Sequence, residues 1–141
     1  KEQKTFFHGH TYTGNPLACA AAVASLDIFK KEKTLARLAS KISFLKDGLK
    51  DFNCLSHVGS VRQKGFMAGI EIVKDKKNQV EYPWEEKMGV KVCQKARAYG
   101  VILRPLGNVI VLMPPLAITK KELQKILTAT FRAIKEVTED A

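Results

Sequence analysis

Leu35, Leu38, Ile42, Leu45, Leu49 and Phe52 recur at alternating spacings of three and four, and Leu123, Ile126, Leu127, Thr130, Ile134 and Val137 repeat the pattern near the far end of the chain. Such a period places each set on one face of a helix, so two amphipathic helices must cover a common kind of surface. Thr119 and Glu122 form a T-x-x-E capping box ahead of the second. What they cover lies between them. "HVGSVRQKG" and "FMAGIEIV" are rich in β-branched and apolar residues and divide near Gly65, and "VILRPLGNVIVLMPP" predicts two short strands around a Pro-Leu-Gly-Asn turn. The loop "KDKKNQVEYP" leads into a third helix, expected from Trp84 to Tyr99 with Gly100 as a left-handed cap. Upstream, Asn15-Pro16 marks the start of a helix to about Phe29, whose run "LACAAAVASLDIF" lets other backbones approach closely. The order helix, helix, strand, strand, helix, strand, strand, helix predicts an α/β chain, a two-layer α+β arrangement with helices on a small sheet.

At 141 residues and 45% hydrophobic composition, the chain has material for one compact domain with a sizeable core and not for a second full one. It has no apolar run of about 18 residues, and its polar start "KEQKTFFHGH" lacks the apolar stretch of a secretory signal. A soluble, cytoplasmic protein without a membrane span is expected. Residue 1 is lysine, which suggests a piece of something longer. Cys19, Cys54 and Cys93 are odd in number, widely spaced and set in apolar or helical surroundings, a pattern that predicts reduced core thiols. The net charge of +10 raises nucleic acid as a partner, but the lysines cluster at helix ends and polar faces without interleaved aromatics, so solvated surface is the expectation.

The stretch "HGHTYTGNP", residues 8–16, concentrates the polar chemistry. Hydroxyls of Thr11 and Thr13 and backbone N–H groups around Gly9 and Gly14, just before a helix N-terminus, make a cradle for a phosphate or other anion. The competing reading is a turn whose threonines satisfy local backbone. His8 and His10 offer two metal ligands with no third of matching spacing, so no metal site is expected. His57 stands alone before a strand and reads as structural. Arg104 precedes Pro105, which biases it to extended backbone; its guanidinium either grips a carboxylate in a two-point fork or pairs with one of the chain's own acids. No nucleophile or general base can be assigned, so the residues supply binding groups without a catalytic one.

"FFHGHTYTGNPLACAAAVASL", "VRQKGFMAGIEI" and "GVILRPLGNVIVLMPPLAIT" together resemble the C-terminal third of class III pyridoxal-phosphate aminotransferases over nearly the whole chain. The resemblance implies the type I aminotransferase fold, with residues 1–31 as the end of the cofactor-binding large domain and 32–141 as the C-terminal small domain. It implies a homodimer in which His10 and Thr11 hold the phosphate of pyridoxal 5'-phosphate bound by the partner subunit, while Gly9 touches substrate and Arg104 grips the acceptor's carboxylate. The blocks lean toward members that move an amino group from S-adenosylmethionine to 8-amino-7-oxononanoate in biotin biosynthesis, over ornithine or 4-aminobutyrate types. The family's Schiff-base lysine lies upstream of these blocks, so the chain alone is expected to be inactive. Its first helix would pack on the large domain, and its apolar faces are expected to be uncovered here. The alternative from another class is a freestanding basic α/β module that binds anions or nucleic acid.

Overall fold

The computed structural model describes Lys4, Phe6 and residues 8–139; Lys1, which prompted the expectation of a longer parent, lies outside them. The chain divides into two compact units, residues 1–36 and 37–141. In the smaller, helix α1 spans Pro16–Lys31 and begins where the sequence marks it: the Asn15 side chain accepts a hydrogen bond from the Ala18 N–H at 3.0 Å, and Pro16 takes a first-turn position that needs no donor. It ends where the Glu32 N–H donates to the Ile28 carbonyl and Lys33 turns to φ 48°. No residue of α1 is buried, and Leu17, Val23, Leu26 and Ile28 are all exposed.

Helix α2, Thr34–Leu49, carries the first predicted stripe with two departures. Leu35 is 72% exposed, and the helix stops at Leu49, giving way to a 3-10 turn over Lys50–Cys54. Phe52 is nevertheless buried with Leu38, Leu45 and Leu49. A 3-10 turn has about three residues per turn, so a residue three beyond Leu49 stays on the same side.

The sheet is antiparallel throughout, in the order β1-β2-β5-β4, and a two-residue strand β3, Val80–Glu81, pairs with the end of β2 at Val73 and Asp75. Strands β1, Val58–Lys64, and β2, Met67–Asp75, join through Gly65-Phe66; β4, Arg104–Leu106, and β5, Val109–Leu112, join through Gly107-Asn108. Both two-residue loops open on a glycine at positive φ, 57° and 60°, the backbone a tight hairpin of this handedness requires. Along β2, Ala68, Ile70 and Ile72 are buried and face the core, which they share with Ile110 and Leu112 of β5 and with Leu45 and Leu49 of α2. Helix α4, Lys120–Thr138, contributes Leu123, Leu127, Ala133 and Ile134, and its capping box is complete: Thr119 Oγ1 accepts from the Glu122 N–H at 3.2 Å while the Glu122 carboxylate accepts from the Thr119 N–H at 2.8 Å. The fold is thus α+β, helices against one face of a small sheet.

Three expectations need correction. Helix α3 is Met88–Ala98, because Lys87 adopts φ 49° and cuts off a separate 3-10 turn at Trp84–Glu86. Its end is as predicted: Gly100, φ 71°, donates to Arg97 O and Val101 to Ala96 O, the paired bonds of a left-handed helix cap. The two-residue strand β3, Val80–Glu81, lies inside the predicted loop and is too short for periodicity to reveal. Val101–Leu103 are not a strand; Arg104 opens β4 and Pro105 lies within it, tolerated because β4 is the edge and its missing N–H costs no ladder bond.

Candidate functional site

The loop before α1 is a turn built around one threonine. The Thr13 hydroxyl accepts from the His10 N–H at 3.0 Å, and the Thr13 N–H returns a bond to the His10 carbonyl at 2.9 Å. Gly14, φ 78°, then reverses the chain into the Asn15 cap. This reciprocal pair occupies Thr13, so for that residue the local-turn reading holds. Thr11 differs: it is exposed, and among the described residues its hydroxyl has no hydrogen-bond partner. A Cβ built on Gly9 meets nothing within 4 Å, so the backbone there is open to a ligand. His8 and His10 approach each other with Nε2 atoms 3.2 Å apart and rings in an edge arrangement. No group of three metal-binding side chains occurs among the described residues.

Arg104 lies in the larger unit, described here by itself. In the sheet register it stands opposite Val111, which stands opposite Gly69, which stands opposite Arg62. Residues directly opposite share a face, so this row runs across the side of the sheet away from Ile70 and Ile110. The row has an arginine at each end and little side chain between them. The two arginines differ in their partners. Arg62 donates to the Glu71 carboxylate at 2.7 Å and to the Ser60 hydroxyl at 2.8 Å. The Ser60 hydroxyl, donating to Glu71 at 2.6 Å, and Arg62 after it hold the Glu71 carboxyl below the usual carboxylate range. Arg104 is exposed and, among the described residues, its guanidinium has no hydrogen bond, ion pair or ring contact. Among the described residues, therefore, no acid pairs with Arg104, and none of them takes up its five donors.

His57 is structural, as read. Its Nδ1 lies 3.0 Å from the Val73 carbonyl and 2.9 Å from the Tyr82 hydroxyl, a tie between the strand start and the β2 end. The cysteines correct the expectation of three core thiols: Cys93 is buried, but Cys19 and Cys54 are exposed. Apolar neighbours in sequence did not bury Cys19 because α1 buries none of its residues. Burial pushes the Cys93 thiol up to about 11, against a smaller opposing pull from Arg97. Sequence reasoning passed over the residues that seat the Arg104 hairpin: Gly89 in α3, Trp84, and Asn108, whose side-chain amide donates to the Tyr82 carbonyl at 2.8 Å. A lone glycine within a helical run was the one available signal for them.

A profile of class III aminotransferases matches residues 2–134. The chain belongs to the class III aminotransferases. Members of this family named adenosylmethionine-8-amino-7-oxononanoate aminotransferase are similar along nearly its full length: that of Geobacter sulfurreducens is 51% identical over 98% of this chain, and that of Aquifex aeolicus 52% identical over 99%. The crystal structure of the Methanocaldococcus jannaschii enzyme of that name superposes with a TM-score of 0.88 at 48% identity, covering 95% of this chain. An (S)-enantioselective omega-transaminase from Thermomicrobium roseum superposes with a TM-score of 0.87 at 35% identity, covering 98%. The chain spans about 30% of the length of the curated relatives and 31% of those two structures. For this class III aminotransferase chain, the α+β fold expected from the sequence holds. Among the described residues no helix is long and apolar enough to cross a membrane.

Proposed function

We propose that this chain is the C-terminal part of a pyridoxal-phosphate-dependent aminotransferase that moves an amino group from S-adenosylmethionine to 8-amino-7-oxononanoate, giving 7,8-diaminononanoate for biotin, in the cytoplasm. The observation that carries it is Arg104. An exposed guanidinium that no acid among the described residues pairs with suits an acceptor that is a carboxylic acid, and that acid is the one in the names of relatives about half identical to this chain. Residues 1–31 are the end of the cofactor-binding domain and 32–141 the small domain, a reading supported by the division of the chain after Ala36.

In this proposal the whole protein is a homodimer, and the loop at residues 9–11 serves the partner subunit's cofactor. The donor set fits a phosphate: a hydroxyl at Thr11 without a partner among the described residues, the His10 segment fixed by its bonds to Thr13, and open space at Gly9. Bound pyridoxal phosphate supplies the electron sink that amino transfer needs. This chain's residues bind and orient. Thr11 donates to a phosphate oxygen, Gly9 leaves room for substrate, and Arg104 fixes the acceptor's remote acid by paired N–H donors, a charge-assisted contact that a lysine would not reproduce. None of the three moves a proton; the lysine that does so belongs to the whole protein outside this chain.

The test uses the whole protein. Thr11→Ala should weaken cofactor retention about tenfold, the worth of one hydrogen bond to a charged group, and Arg104→Ala should raise the acceptor KM about 10- to 100-fold. Normal cofactor and acceptor affinity in both variants would overturn the site assignment. Assay with S-adenosylmethionine, ornithine and 4-aminobutyrate as donors decides the substrate, and failure with the first removes the biotin reading.

A further inference from the structure

The hairpin that carries Arg104 has few attachments. Strand β4 is three residues long, at the edge of the sheet, and contains Pro105, so its one ladder is with β5. Its other end is seated on the start of α3. A Cβ built on Gly89 falls 2.2 Å from the Gly107 carbonyl oxygen and 3.1 Å from Pro105 Cβ, so the helix and the turn touch at a distance only glycine permits. The Trp84 ring closes the turn from another side, with Cζ3 3.8 Å from a Cβ built on Gly107. Asn108 ties the turn to Tyr82, and its carbonyl accepts from the Ile72 N–H at 2.8 Å.

We propose that Gly89 is a positioning residue for substrate recognition: by admitting the Gly107 carbonyl against α3, it sets the tilt of β4 and with it the place of the Arg104 guanidinium. This rests on the reading of Arg104 as the carboxylate grip. A methyl at residue 89 drives the Gly107 carbonyl back by about 1 Å to reach an ordinary contact. Arg104 lies three residues before Gly107, at the far end of β4 and about 10 Å away, so that strand moves as a short lever. A misplacement of that size at a binding group costs up to about 100-fold in rate. The residue touches no substrate and acts only through the strand.

The experiment measures, in the whole cofactor-loaded protein, the ratio of kcat/KM for the acceptor acid to that for its methyl ester, which lacks the charge Arg104 recognises. Arg104→Ala should collapse the acid preference; if it does not, the reading of Arg104 fails first. Given that collapse, Gly89→Ala should reduce the ratio about 10- to 100-fold while leaving the ester rate within a few-fold, and should add nothing further to the ratio in the Arg104→Ala background. An unchanged ratio, or equal losses on acid and ester, overturns the proposal, since a general packing lesion slows both substrates alike. Should Gly89→Ala fail to fold, Trp84→Ala decides by the same measurement, because Trp84 is 74% exposed and its loss leaves the core intact. A fall in the ratio of a few-fold supports the clamp, and no change overturns it.

Discussion

Gly48→Ala sets two known effects against each other at one site. Gly48 lies in the last turn of α2, where alanine gains about 1 kcal/mol of helix propensity. A Cβ there, however, falls 2.4 Å from Leu127 Cδ1 and 3.5 and 3.6 Å from Cγ and Cδ2. The first contact lies far inside ordinary carbon separation, so the leucine must rotate or α2 and α4 must part. Leu127 is 3% exposed and packed in the main core, so its rotation gives up contacts with its other neighbours there. Overpacking of this kind costs about 1–3 kcal/mol. The balance is a net loss of about 1 kcal/mol, which lowers the urea midpoint, followed by circular dichroism, by about 0.5 M. Leu127→Ala alone should cost about 2–5 kcal/mol. In that background the space is vacated, and Gly48→Ala should turn neutral or stabilising. A raised midpoint for Gly48→Ala alone, or an identical loss in both backgrounds, would refute the reasoning.

Acid titration tests the Ser60–Arg62–Glu71 cluster. Glu71 has its folded pKa depressed, so its contribution is fully present above the ordinary glutamate range, near 4.5, and is lost as pH falls through the lower folded value. Glu71→Gln should therefore lower the unfolding free energy from urea titration at pH 7, by no more than about 1 kcal/mol for so exposed an arginine partner, and the difference should vanish in strong acid; a pH-independent difference would contradict it. Thiol labelling tests burial: at pH 8 about one Cys93 thiol in 1,000 is ionised and the side chain is enclosed, so Cys54 should label promptly and Cys93 only on unfolding. Comparable rates for the two would show that the α3 packing is looser than described.

The helical stripes and the capping box were legible because each depends on residues within a few positions of one another. Asn15, Pro16 and Gly100 act within one helical turn, and all three do in the fold what their chemistry announces. The boundary errors share a cause. Lys87 in the left-handed region and Pro105 inside a strand are permitted by what surrounds them, a 3-10 turn on one side and an open sheet edge on the other. Of the two threonines in the loop, sequence could not say which would be consumed by the turn; the bonds to His10 select Thr13 and leave Thr11.

Residue order alone therefore determined the alternation of helices and strands, the family resemblance, and which residue types have the chemistry to bind an anion or a carboxylate, since those follow from local periodicity and side-chain chemistry. Tertiary structure decided that Arg62 pairs with Glu71 while Arg104 meets no acid among the described residues, that Cys19 and Cys54 lie outside the core, and that Gly89 must be glycine. Each of these depends on groups far apart along the chain meeting across a sheet or a helix face, and no local pattern records which strand will stand opposite which.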